Sequence, residues 1–443
     1  MKIKIIMYLY LLTLKNKYMK KTFFLLCISF NFACCSDNLR TVGELPIIDV
    51  INSVGKYQRT YCSDFFSSIE LIPLETSEEC LIDENYSLFL NDNFIIINDR
   101  KANSANIMAS VTNLYAFNFS GKFINKIGER GQGPADYTMI FDVFLSPDKP
   151  SIYFSDFSKI LEYNFDGRFI RSFRKPSPEG KSLSGLMYAG NNLFVGQVNY
   201  DGKNRFKYCL FNENGDTVKT FPSYVFFERT GTMLTRDDAS LHPFRVDNRV
   251  YLKDYIIDTL YVLENSNLRP AFIFGLSKYS FSKERLENSN PQFSFPNHDF
   301  QILGIMGMPN YFFYQVRVPE SFPRPKSKAE YNIISKQLYT RDAFVYGLYN
   351  IAENINILLD TDEHLQKGFI NDLNGGLPFI PRYYAGNNIV ADIWNVTDMQ
   401  EILTDEYFTT QTIKDTQAHK KLKELLKNLK EDDNPVVVVA KLK

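Results

Sequence analysis

Leu114-Tyr-Ala-Phe-Asn-Phe-Ser-Gly121, continued by Lys122-Phe-Ile-Asn-Lys-Ile127, is the stretch that decides the fold. It returns as Ile160-Leu-Glu-Tyr-Asn-Phe-Asp-Gly167 before Arg168–Phe173, and as Tyr208-Cys-Leu-Phe-Asn-Glu-Asn-Gly215 before Asp216–Phe221. The glycines lie 46 and then 48 residues apart. A degenerate fourth copy is Leu260–Asn267 followed by Leu268–Phe274. Each copy reads as strand, turn, strand, and Ser-Gly, Asp-Gly and Asn-Gly predict type I′ hairpin turns, which need positive φ. Working outward, another strand pair precedes each hairpin: Ser87–Asn98, Val143–Phe154, Leu186–Val195 and Phe244–Leu252. Two hairpins per repeat make four strands. Four-stranded units of about 40–50 residues are the sign of β-propeller blades.

Later units are blurred. Strand-like runs occur in Ile302–Val316, Ala343–Leu359 and Ile380–Ile393, and the stretch near 280–328, rich in Pro and Ser, reads as an insertion. Residues 56–443 hold six blades more comfortably than seven. Leu422, Leu425, Leu426 and Leu429 fall on one stripe of a C-terminal helix. Val436–Leu442 then reads as a buried last strand. Ile69–Glu75 is expected to pair with the last blade and close the ring, which removes exposed sheet edges. The expectation is an all-β, six-bladed propeller of four-stranded antiparallel blades, with a short helix before the closing strand.

Composition agrees. The chain has 443 residues, with 38 Phe and 27 Tyr but one Trp, a bias that favours strands. Lys+Arg number 50 against 51 Asp+Glu. Residues 1–33 hold six lysines and no acid, and two apolar runs too short to span a membrane. Met19-Lys20-Lys21 followed by Thr22–Ala33 reads as a signal peptide whose start is Met19. Without residues 1–33 the chain carries 44 basic and 51 acidic side chains, a net charge near −7. That disfavours nucleic acid as a partner. Ala33-Cys34-Cys35 resembles a bacterial lipobox: a small residue at the cut and a thiol for lipid transfer. Cys34 is the expected lipidated residue and Cys35 the alternative, with 34–55 as a tether to the cell envelope, at the outer membrane. Cys62, Cys80 and Cys209 are expected to be buried free thiols; a Cys62–Cys80 bridge stays open.

Four segments carry a family resemblance: Ile72–Thr76, Ile127-Gly-Glu-Arg-Gly-Gln-Gly-Pro-Ala-Asp-Tyr137, Asn371–Phe379 and Leu425–Pro435. On these the chain resembles the six-bladed β-propeller lipoproteins of Bacteroidota, distantly similar to NHL-repeat propellers. The resemblance implies the fold and an envelope location, and no reaction.

Catalytic and cofactor motifs are missing from the sequence. Gly128, Gly131 and Gly133 are not followed by Gly-Lys-(Ser/Thr), so they do not make a phosphate loop. His242, His298, His364 and His419 lie far apart, and no metal or cofactor is expected. Asp237-Asp238 and Asp360/Asp362 read as solvated turns, and Asn371-Asp372 with Gly375-Gly376 as a tight loop. The candidate ligand-binding loop is Arg130, Gln132, Asp136 and Tyr137, whose bland alternative is an inter-blade loop in which Tyr137 packs. Two functions follow. One is a non-catalytic binding or scaffold module for a glycan, peptide or partner protein. The other is a propeller enzyme, lyase or glycosidase-like, with its site at the mouth of the central channel.

Overall fold

The computed structural model describes residues 45–83, 85–101, 111–199, 202–228, 241–246, 248–254, 257–280, 299–326, 329–332, 337–340 and 344–443. The signal peptide, Met19, Cys34, Cys35, Asp237, Asp238 and His298 lie outside the described residues. Pro46–Lys443 form one compact unit.

After β1 (Ile47–Ile48), the helical turn α1 (Cys62–Phe65) and β2 (Phe66–Pro73), the sheets follow in order. Blade 1 is β3 (Tyr86–Leu90), β4 (Ile95–Lys101), β5 (Val111–Phe117) and β6 (Phe123–Lys126). Blade 2 is β7 (Val143–Leu145), β8 (Ser151–Ser155), β9 (Lys159–Asn164) and β10 (Phe169–Arg174). Blade 3 is β11 (Leu183–Gly190), β12 (Leu193–Val198), β13 (Phe206–Asn212) and β14 (Thr217–Pro222). Blade 4 is β15 (Phe244–Val246), β16 (Arg249–Lys253), β17 (Thr259–Glu264) and β18 (Asn267–Phe274). Blade 5 is β19 (Gln301–Met308), β20 (Tyr311–Arg317), β23 (Phe344–Asn350) and β24 (Ile355–Leu358), with the hairpin β21 (Ala329–Asn332) and β22 (Gln337–Thr340) between β20 and β23. Blade 6 is β25 (Tyr383–Gly386), β26 (Ile389–Trp394), β27 (Val436–Leu442) and, outermost, β2. The helices α2 (Val396–Ile402), α3 (Asp405–Thr410) and α4 (Thr416–Asn428) lie between β26 and β27.

The ring closes as expected: Ile69 pairs with Ala440 and Leu71 with Val438, so the N-terminal strand completes the last blade. The described core falls into six clusters, one for each gap between neighbouring blades. Alternation explains this. In β4, Ile95 and Ile97 face blade 6 while Ile96 faces blade 2. A blade is therefore apolar on both faces, and only closure of the ring buries both. The surplus of Phe and Tyr fills these gaps. Phe194 alone meets Phe144, Tyr153, Tyr188 and Phe211 with centroids 5.2–6.0 Å apart, contacts worth about 0.5–1.5 kcal/mol each beyond area burial. Cys62, Cys80 and Cys209 are buried free thiols, and Cys62 and Cys80 sit in different gaps.

Three expectations are corrected. The repeat hairpins are not type I′: of the turn residues only Gly121, Gly167 and Gly215 have positive φ, at 79–82°. Each is a type I turn ending in a glycine bulge, opened by the Asn three residues earlier. Asn118 Oδ1 accepts from Ser120 N and Lys122 N, and Gly121 N donates to Asn118 O; Asn164 and Asn212 repeat the device. Glycine is needed twice over, because a Cβ on Gly121 would sit 1.9 Å from Pro73 O of the adjoining blade, and one on Gly215 2.1 Å from Arg174 O. The true two-residue turns with φ positive at both positions are Asn191-Asn192, Asn265-Ser266 and Asn387-Asn388. Second, the stretch 280–328 is not all insertion, since β19 and β20 inside it begin blade 5; Gly304, Gly307 and Pro309 obscure their alternation. Third, the ring takes in residues from Pro46, ten before the expected boundary at 56. β1 adds in parallel to β18, and Gln58 and Tyr61 bridge to Leu359 and Ile370.

Candidate functional site

The two ends of the ring differ. Connections from first to second strand (91–94, 146–150, 191–192, 247–248, 309–310, 387–388) and from third to fourth (118–122, 165–168, 213–216, 265–266, 351–354) never exceed five residues. The other end carries every long connection: 74–85, 127–142, 175–182, 223–243, 275–300 and 359–382 between blades, and 102–110, 199–205, 318–343 and 395–435 within them. Antiparallel strands place the strand ends that these connections join on one face. Long loops set on a rigid scaffold are where binding residues concentrate, which makes this the candidate binding face.

Buried carboxylates recur at this face, where the second strand of a blade ends. Asp99 Oδ1 accepts from Asp83 N at 2.9 Å. Asp156 accepts from Thr138 N, Met139 N and Phe157 N at 2.9, 3.4 and 2.7 Å. Asp392 accepts from Ile380 N and Ile393 N at 2.8 Å, from Trp394 Nε1 at 3.1 Å and from Arg382 Nε at 2.7 Å. In each case the carboxylate catches a backbone N–H of the connection arriving at that blade's own first strand. Blade 4 varies the device: Asp254 pairs with Lys207 of blade 3 at 3.0 Å, both side chains almost fully buried. Beside it, burial pushes the Lys253 ammonium down to about 8 while its Nζ donates to Asp254 O and Ile257 O. Burial also raises the Asp99 and Asp392 carboxyls, although hydrogen bonds and, at Asp392, Arg382 pull the other way. These aspartates latch loops to blades. The signal was present in the sequence as three apolar residues, one spacer and Asp: Ile95-Ile-Ile-Asn-Asp99, Ile152-Tyr-Phe-Ser-Asp156 and Val250-Tyr-Leu-Lys-Asp254.

The candidate loop 127–137 lies on this face, between blades 1 and 2. Its four residues part company. Tyr137 is buried, its hydroxyl donating to Thr112 O at 2.7 Å and its ring edge-on to Phe154. Asp136 is half-buried and accepts from Gly133 N, closing the loop on itself. Lys159 Nζ ties the loop down through Gly133 O and Asp136 O. Arg130 and Gln132 are exposed. Close by, Phe141 and Phe157 stand 38% and 47% exposed with rings edge to face at 4.9 Å. Lys175 Nζ lies 5.5 Å from the Phe141 centroid, and Arg100 donates to Phe141 O. After blade 3, Tyr224 and Phe226 are 73% and 48% exposed.

At blade 6, Arg382 sits one residue before the innermost strand. Because β25 is the innermost strand of blade 6 and Arg382 precedes it, Arg382 stands at the loop end of the channel wall. Tyr86 OH of blade 1 donates to Asn395 Oδ1.

The remaining sequence candidates are structural. Asp362 Oδ1 accepts from His364 N and Gln366 N within its loop. Asp372 ties Ser63 to Lys414, 2.8 Å away. His364 meets Thr410 Oγ1, His419 Nδ1 meets Asn374 O, and His242 is exposed. Leu422 of α4 is buried and Leu425, Leu426 and Leu429 pack on the blade 5–6 gap. Among the described residues no three His, Cys, Asp or Glu side chains are grouped to hold a metal.

The family model described as a domain of unknown function, DUF4934, matches residues 45–441; it is not an NHL-repeat family. A Bacteroides fragilis protein described as exported shares 19% identity and a TM-score of 0.59, over 90% of this chain and 99% of that one. A Bacteroides vulgatus member of the DUF4221 family shares 13% identity and a TM-score of 0.47, over 85% and 97%. The first likeness bears on the fold. No curated protein matches the chain.

Proposed function

From the premise that this chain belongs to the DUF4934 family, whose description names no activity, we propose that it is a non-catalytic binding module of the cell envelope. Its loop face would engage a glycan, peptide or partner protein. One observation carries the reading: on that face the buried Asp156, Asp254 and Asp392 are occupied with backbone N–H groups and cations, while the exposed side chains include the rings of Phe141, Phe157, Tyr224 and Phe226 beside Arg130 and Gln132. An acid–base mechanism needs titratable groups facing a shared space with substrate. Here Asp99, Asp156 and Asp392 face the connections they hold.

Export is supported by the leader-like residues 1–33 and by the exported description of the Bacteroides fragilis relative. Lipid anchoring through Cys34, or through Cys35, completes the proposal, with the outer membrane as the site. Two experiments test it. Binding of the purified protein to a glycan and peptide array is expected, and a blank array would sink the binding role. Replacing Cys34 and Cys35 by Ala is expected to move the protein from the membrane fraction to the soluble one; unchanged fractionation would remove the anchor.

A further inference from the structure

We propose that Arg382 is the anion receptor of this face, taking the carboxylate of an acidic sugar at the mouth of the central channel; the inference rests on the loop face being the binding face. Arg382 is the residue before β25, so it stands at the loop end of an innermost strand. Its side chain is 51% exposed, whereas that of Asp392, its partner, is 2% exposed. Only one edge of the guanidinium is used: Nε donates to Asp392 Oδ1 at 2.7 Å. The two terminal nitrogens have no hydrogen-bond partner among the described residues, and the Asp392 carboxylate is itself fixed by Ile380 N, Ile393 N and Trp394 Nε1. A guanidinium held by one edge keeps a rigid pair of N–H donors on the other, matched to the two oxygens of a carboxylate. The lost freedom that normally weakens an arginine contact has already been surrendered in the free protein.

The surroundings favour a sugar. Arg382 and Tyr384 alternate on the same side of β25, the side that faces blade 5, where Tyr346 stands. Both tyrosines are half-buried, and Tyr346 has one ring face stacked on Phe313 at 5.1 Å. Such rings stack on pyranose faces while the arginine reads the acid group. Asp392 is a positioning residue in this arrangement and does not touch the ligand.

The test is calorimetric titration of the full-length protein with trigalacturonate, its trimethyl ester and the peptide acetyl-alanyl-alanine. Expected results are binding of trigalacturonate, at least tenfold weaker binding of the ester, and a similar loss in Arg382→Gln and Arg382→Lys. The Lys variant keeps the charge, so its loss separates bidentate recognition from simple attraction. Wild-type circular dichroism and cooperative unfolding in both variants exclude misfolding as the cause, with some loss of melting temperature expected in Arg382→Gln because Asp392 loses its counter-charge. Equal affinity for acid and ester, or full affinity in Arg382→Gln, would overturn the assignment. Preference for the peptide acid over trigalacturonate would overturn the choice of sugar. Array ligands that bind through Phe141 and Phe157, combined with no response to trigalacturonate, would refute the Arg382 site and leave the binding face standing.

Discussion

Replacing Asp392 by Ala tests the latch logic where it is strongest. The side chain is almost fully buried and accepts from three groups besides Arg382: Ile380 N, Ile393 N and Trp394 Nε1. Alanine leaves those donors without an acceptor and removes the counter-charge of Arg382. A buried donor left unsatisfied costs about 1–3 kcal/mol. Three would cost at least about 3 kcal/mol. Against this, alanine relieves the desolvation that raises the Asp392 carboxyl. Breaking one partner of a buried pair costs about 3–5 kcal/mol once such relief is included, and about 3 kcal/mol is the expected net loss. For a folded ring of about 400 residues, an unfolding entropy of about 2.1 cal/mol/K per residue converts this to roughly 3–4 °C in melting temperature. Thermal unfolding by circular dichroism reads it. Asp166→Ala is the control, since Asp166 is an exposed turn residue. A melting temperature for Asp392→Ala within about 1 °C of both wild type and control would refute the claim that this carboxylate holds the connection to its blade.

Other expectations follow from the same geometry. Gly215→Ala must adopt a positive φ and bring Cβ to 2.1 Å from Arg174 O, so it is expected to destabilise by more than the roughly 1–2 kcal/mol of a left-handed residue. Gly190→Ala, equally positive in φ but with open space around it, should lose only the backbone share, and equal melting points for the two would contradict the close-approach argument. Burial raises the Glu162 carboxyl, but hydrogen bonds from Arg171, Ser151 and Tyr153 outweigh it and hold it below the ordinary value. A depressed folded pKa gives stability that is present above the unfolded pKa, near 4.3, and lost as pH falls through the folded value. Glu162→Gln should therefore flatten the acid limb of stability below about pH 4, as read by urea midpoints across pH, and an unchanged slope would count against the network. Ile69→Asp puts a charge into the strand that closes the ring, at a position 7% exposed, and is expected to cost several kcal/mol, roughly 3 or more; a mild effect in urea unfolding would show that closure contributes little.

The fold was legible because its signal is periodic. Asn118, Asn164 and Asn212, each three residues before a glycine, mark the outer hairpins, and the alternation of Ile95, Ile96 and Ile97 marks a strand buried on both sides. The turn type was misread because Ser-Gly and Asp-Gly look like two-residue turns until the Asn side chain upstream is seen to cap the loop. Blade 5 was blurred because Gly304, Gly307 and Pro309 interrupt its first hairpin, although Ile302–Val316 still read as strand-like. The site was less legible. Tyr137 attracted notice as a loop aromatic, yet its hydroxyl and ring are spent inside the ring of blades. Arg382 drew none, because its meaning depends on Asp392, ten residues away on the next strand, and on Tyr346 of another blade. Contacts assembled by ring closure leave no local trace in sequence.

The binding account is tested most directly by one measurement: array binding of the full-length protein beside two double variants, Phe141→Ser with Phe157→Ser on the loop face and Ile124→Ser with Ile170→Ser on the exposed outer strands. The account predicts at least one glycan, peptide or protein ligand that the loop-face variant loses and the outer-strand variant retains. No ligand at all, or a ligand lost only with the outer-strand variant, would contradict it.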